Sequence, residues 1–172
     1  MTNAPRVQIL IAGIGNVFMG DDGFGVEVAA RLATRRLPDG VVAADIGVRS
    51  LHLAFALLDK PDLLLVVDAV DRGEPPGTLF VIEPQLDGDR PAVADAHSMS
   101  LQTVVAALRG LGGEVPRMLL VGCQPEFVGE RMGLSLAVQQ AVPHAVALVE
   151  RTVARALERQ SYAADDAVEE AV

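Results

Sequence analysis

The sequence has a single cysteine, Cys123, so an intrachain disulfide is excluded and a reducing, cytoplasmic setting is expected. It lacks any run near the roughly 18 apolar residues that a membrane span requires. Residues 1–6 lack the basic flank and long apolar region of a signal peptide. It also lacks an excess of basic residues: the formal charge is −9, which argues against a nucleic-acid partner. Part of that charge, Asp165, Asp166, Glu169 and Glu170, lies in an Ala-rich acidic terminus, residues 161–172, expected to be frayed or disordered.

What is present suffices for one folded unit. A chain of 172 residues is expected to form one domain, residues 1–160 here, burying about two-thirds of its unfolded surface. With 51% apolar residues, a full core needs no covalent staples. Unbroken apolar runs predict strands over 7–12, 41–45, 63–67, 78–82 and 118–122. Helices are expected over 25–37, 51–58, 99–111 and 134–159, the last with Pro143 as a candidate kink. Continuous rather than alternating apolar strands mean a sheet covered on both faces. The expected fold is an α/β three-layer sandwich, with a twisted, mostly parallel five-stranded sheet flanked by helices. The connection from Asp68 to Thr78 is too short for a helical crossover, so the fourth strand is expected to be antiparallel.

The first strand runs into Gly13-Ile-Gly-Asn-Val-Phe-Met-Gly-Asp-Asp-Gly-Phe-Gly25. A dinucleotide fingerprint, G-x-G-x-x-G, uses its third glycine to pack helix on strand; Gly13 and Gly15 fit, but Phe18 holds the third position. No Gly-Lys-Ser/Thr ending of a phosphate loop follows, and Asp21 and Asp22 would repel a pyrophosphate. Adjacent residues face different ways. One aspartate is therefore expected to cap the helix that begins near Gly23 or Gly25, and the other to enter a cleft.

Asp68 ends the third apolar run, at the carboxyl end of a strand, where open α/β sheets bind ligands. By position alone it is equally a turn former and a site residue. His97, just before a helix, reads either as a loop residue or as a metal ligand or general base. His52 is expected to pack partly buried, and His144 to lie at the surface. Asp22, Asp68 and His97 together would give two carboxylates and an imidazole, a set suited to Zn²⁺ or Ni²⁺ with open positions. Cys123 reads as a small buried apolar residue, and no Gly-x-Ser-x-Gly elbow is present.

The Gly13–Gly25 segment resembles the opening signature of the nickel–iron hydrogenase maturation proteases. Leu64-Leu-Val-Val-Asp-Ala-Val70 with Pro76-Gly-Thr78 resembles a second block of that family, Ala96-His-Ser-Met-Ser-Leu101 its histidine block, and Val121-Gly-Cys-Gln-Pro-Glu126 a late strand and loop. The four blocks occur in order over residues 7–140. The chain departs at Asp45-Ile-Gly-Val-Arg-Ser50, where members often carry Gly-Gly after the aspartate; Gly47 is kept.

The resemblance implies an endopeptidase that removes a C-terminal extension from the hydrogenase large-subunit precursor after nickel insertion. The family's metal-contacting trio falls on Asp22, Asp68 and His97, with Asp22 standing where some members have Glu. The trio is then expected either to recognise nickel held by the substrate or, with its own metal such as zinc, to activate water. Asp22 and Asp68 are candidate general bases. Gly47 and the loop from Gln124 to Met132 are expected to wall the substrate tail. The implied partner is the precursor, with no nucleic acid and no membrane. The alternative is a non-enzymatic chaperone that binds nickel or the precursor without cutting.

Overall fold

The computed structural model describes residues 8–84 and 96–169, with side chains described for 8–84 and 101–159. Five strands form one sheet: β1 (Ile9–Ile14), β2 (Val41–Gly47), β3 (Leu63–Ala69), β4 (Leu79–Ile82) and β5 (Arg117–Cys123). Their order is β2-β1-β3-β5-β4. The first four in that order run parallel and β4 pairs antiparallel to β5, as the short connection before it requires.

The central strands are buried on both sides because both sides carry helices. Alternate residues Ile9, Ile11, Leu65 and Val67 meet α1 (Phe24–Ala33) and α4 (Leu136–Glu169) on one face. Leu10, Ala12, Leu64 and Val66 meet α2 (Ser50–Ala56) and α3 (Ala96–Gly110) on the other. Burying a Leu or Val side chain contributes about 1.5–3 kcal/mol, so these two aliphatic layers dominate the stability.

Several boundaries differ from expectation for local reasons. β3 runs on through Asp68 to Ala69, since its ladder with β5 continues to the pair Ala69 and Cys123. The α1 helix is preceded by a 3-10 turn over Asp21–Gly23 and stops at Ala33. α4 passes through Pro143, which has no N–H to give to the carbonyl four residues back, and continues beyond residue 159 to Glu169. It thus crosses much of the stretch expected as a tail, where Ala163, Ala164 and Ala167 favour helix. His52 is exposed rather than partly buried: in α2 it is Leu53 and Ala54 that face the sheet. His144 is exposed, as expected.

From β1 the chain moves outward to β2, then returns across β1 to β3. The carboxyl ends of β1 and β3 therefore border a topological switch point, the usual ligand crevice of an open α/β sheet.

Candidate active site at the switch point

The loop from β1 to α1 is folded tightly against the sheet. Gly25, in the first turn of α1, lies so close to β1 and β3 that a Cβ there would overlap the carbonyl oxygens of Val67 and Ile14. This is the helix-on-strand contact for which a dinucleotide fold uses its third fingerprint glycine; here the glycine lies seven residues beyond Phe18. Gly15 has φ 128°, and a Cβ on it would collide with the Asp22 carbonyl oxygen. The Gly15 N–H donates to the Gly47 carbonyl at 3.1 Å, which ties the loop to the end of β2. The loop then turns back and packs its Asp21–Gly23 turn against β3.

That return brings Asp22 to the crevice. It is half-buried, and its Oδ2 accepts the Asn16 N–H at 2.7 Å. Asp68 stands at the end of β3, 1% exposed, with Oδ1 accepting the Ala69 N–H at 2.8 Å. It follows Leu64 and Val66 in alternation, so it lies on the α2/α3 face. α3 leads into β5 and runs back along the parallel strands, so its first turn begins at the same carboxyl edge. His97 is in that turn; its side chain lies outside the described residues.

The expectation that one aspartate caps the following helix is corrected. Neither the 3-10 turn nor α1 has a side-chain cap, and their N-cap residues are Gly20 and Gly23. Asp21 instead turns to the opposite side of the sheet from Asp68. It is fully buried and accepts from the N–H groups of Glu126, Phe127 and Ser135 and from the Ser135 hydroxyl, at 2.6–2.9 Å. Burial pushes its carboxyl up, but these bonds outweigh that and hold it below the ordinary carboxylate range.

Gln124 is also spent within the chain. Its Oε1 accepts from Arg72 and Glu74 N–H, and its Nε2 donates to the Asp71 carboxylate and the Pro125 carbonyl. It thereby fastens the β3–β4 connection to the end of β5. Gly47 has φ 56° at the end of β2, where Arg49 donates to the carbonyls of Asp45 and Ile46. Cys123 faces the α1/α4 layer; burial, with the nearby Asp21 charge, pushes its thiol up to about 12, which leaves no thiolate for nucleophilic attack near neutrality.

The loop after β5 pairs with the loop after β1 through isolated bridges, Met19 with Arg131 and Gly20 with Val128. Their tips expose Phe18 (62%) and Met132 (73%), an apolar rim beside the crevice. The sequence marked the Gln124–Met132 loop as a wall but not its pairing with the loop after β1 or the Asp21–Ser135 contact, because both join loops more than a hundred residues apart in the chain.

Asp22 and Asp68 are oxygen donors that fit Zn²⁺ or Ni²⁺ if an imidazole joins them. Among the described residues no three His, Cys, Asp or Glu side chains form a metal-holding group, and the His97 side chain is not among those residues. No described helix is long and apolar enough to cross a membrane.

Comparison with known proteins bears directly on this arrangement. Residues 26–152 match the family model described as hydrogenase maturation protease. The chain is 42% identical over 124 residues to the hydrogenase expression/formation protein HupD of Rhodobacter capsulatus, covering 69% of this chain and 57% of that protein. It is 36% identical over 149 residues to a putative hydrogenase maturation protease of Methanocaldococcus jannaschii, covering 84% of this chain and 95% of the relative. Its fold resembles that of the hydrogenase maturating endopeptidase HybD from E. coli, with a TM-score of 0.73 and 26% identity over 87% of this chain and 93% of that one. A [NiFe] hydrogenase maturation protease HycI from Thermococcus kodakarensis KOD1 gives a TM-score of 0.63 at 27% identity over 84% and 91% of the two chains. With a five-stranded α/β sheet, a glycine-packed loop carrying Asp22 and a buried Asp68 at the switch point, this chain belongs to the hydrogenase maturation protease family.

Proposed function

We propose that this protein is an endopeptidase that removes the C-terminal extension of a nickel-loaded [NiFe] hydrogenase large-subunit precursor. The observation that carries the reading is Asp68, a carboxylate buried at the carboxyl end of the central strand β3, with the turn bearing Asp22 packed against that strand. A buried carboxylate is costly unless it is paired or hydrogen-bonded, and two carboxylates at one crevice would offer a base for a water nucleophile and oxygen donors for a metal. Family membership supplies the reaction class.

Nickel is read here as part of the substrate, the mark that tells a loaded precursor from an empty one. Asp22, Asp68 and His97 would contact it, and a resident ion such as zinc is the competing assignment. Gly47 and the loop after β5 wall the substrate tail; Gln124 acts by fastening the β3–β4 connection beside that loop.

The test is incubation of the purified, metal-stripped protein with nickel-loaded precursor, read by intact mass. Loss of a C-terminal peptide supports the reading, with nickel on the substrate side. Cleavage that returns only when zinc is restored to the protein assigns the ion to the enzyme. Stable binding with no new C-terminus would overturn the peptidase reading in favour of a non-enzymatic chaperone.

A further inference from the structure

Asp21 contributes nothing to the chemistry above, yet it is a fully buried carboxylate held by neutral donors. All four of its bonds reach one segment. Oδ2 takes the N–H groups of Glu126 and Phe127, at 2.8 and 2.9 Å, and the Ser135 hydroxyl at 2.9 Å; Oδ1 takes the Ser135 N–H at 2.6 Å. One carboxylate thus clamps both ends of the loop between β5 and α4. The Ser135 hydroxyl oxygen also accepts the Val138 N–H at 3.4 Å, which carries the clamp into the first turn of α4.

The backbone repeats the connection. Gly20 N–H donates to the Arg131 carbonyl at 2.6 Å, Arg131 N–H to the Phe18 carbonyl at 3.1 Å, and Asp21 N–H to the Phe127 carbonyl at 3.0 Å. The two loops are therefore one unit, and the next residue along, Asp22, belongs to the crevice. An asparagine has one acceptor oxygen, so it cannot reproduce a carboxylate that accepts on both oxygens.

We propose that Asp21 is a positioning residue for substrate recognition. It locks residues 16–20 and 126–135 into one preformed rim, so that the protein substrate meets a fixed surface beside the cleavage crevice. The inference deepens the peptidase reading and rests on it. A preformed rim lowers the ordering cost of binding, whereas two separate loops would have to be ordered by each substrate.

The experiment compares Asp21→Asn, Ser135→Ala and Ser135→Thr with wild type in precursor cleavage, at a temperature where circular dichroism shows each folded. Asp21→Asn should raise KM about ten-fold and hold kcat within about two-fold, because it removes binding order and not a reacting group. Ser135→Ala should raise KM less, and Ser135→Thr, which keeps the hydroxyl, should restore it. Hydrogen exchange should quicken at 126–135 and at 16–20 together in Asp21→Asn, with β1 and β3 unchanged. An unchanged KM in folded Asp21→Asn, a fall in kcat alone, or faster exchange confined to 126–135 would overturn the proposal. If Asp21→Asn does not fold, Ser135→Ala decides by the same readouts. If wild type leaves the precursor uncut, the peptidase reading fails, and exchange in the two loops still decides whether Asp21 couples them.

Discussion

Asp21 and Asp22 are neighbours in one 3-10 turn, yet they serve opposite regions of the molecule. Asp21 turns to the α1/α4 side, where neutral N–H and O–H groups fill its carboxylate. Asp22 faces the crevice region, where its Oδ2 accepts the Asn16 N–H, and its turn packs against β3, which carries Asp68. A charge whose acceptors are filled is a fastener. Asp22 and Asp68, on the other side, are the carboxylates of the proposed site. Sequence adjacency therefore says little about role when a tight turn separates two sides of a sheet.

The largest expected effect tests the crevice side. Asp68→Asn should lower precursor processing by about a thousand-fold, the scale of losing a general base or an equivalent charge, while the protein stays folded. His97→Ala should act in the same direction. Intact-mass kinetics with a parallel denaturation curve would check this, and wild-type processing by both variants would remove the assigned site.

Next comes the contact that sets both sides at once. Gly25→Ala would push a methyl into the carbonyls of Val67 and Ile14. It should cost about 3 kcal/mol through forced separation of α1 from the sheet. A urea midpoint shift would measure it; a midpoint within error of wild type would mean that the helix can slide without cost.

The fastener side has a pH signature. Asp21 has a folded-state pKa below its unfolded one: burial raises it, but the bonds from Ser135, Phe127 and Glu126 prevail. Such a group stabilises the fold above its unfolded value, and that stability is lost as pH falls through the folded value. Below about pH 4, wild type should lose stability more steeply than Asp21→Asn. Parallel acid limbs in pH-dependent urea titrations would contradict this.

Smaller effects mark the limits of the comparison. Cys123→Ala should leave processing within about two-fold, since a thiol pushed up to about 12 supplies no nucleophile. Iodoacetamide should likewise fail to label the native thiol near neutral pH. Arg31→Ala removes an exposed pair with Glu27 at 2.9 Å and should change stability by no more than about 0.5 kcal/mol.

Much of the scaffold was legible because its signals are local. Leu63–Val67 is an unbroken apolar run, and in the structure every residue of β3 is buried. The short link after Asp68 predicted the antiparallel β4, since so few residues cannot carry a crossover helix. Phe18 in the third fingerprint position argued against the dinucleotide pattern; the structure adds that Gly25 makes the close helix-on-strand packing here. His52 was misjudged because its flanking leucines suggested burial, while the helix turns His52 and Leu51 outward and Leu53 inward. α4 runs on to Glu169, past the end its apolar spacing predicts, where the helix propensity of its alanines acts beside the acidic residues.

The sequence by itself determined the layered α/β architecture, the glycine loop and the resemblance to a protease family, because periodicity, chain reach and motif spacing act over short stretches. Only the tertiary structure decided that Asp21 fastens two loops rather than capping a helix. That choice depends on Ser135, whose hydroxyl reaches Asp21 only after β5 is laid beside β3 and α4 is folded back onto the sheet. Hydrogen-bond partners so distant in the chain leave no periodic trace in it, and packing alone brings them within bonding distance.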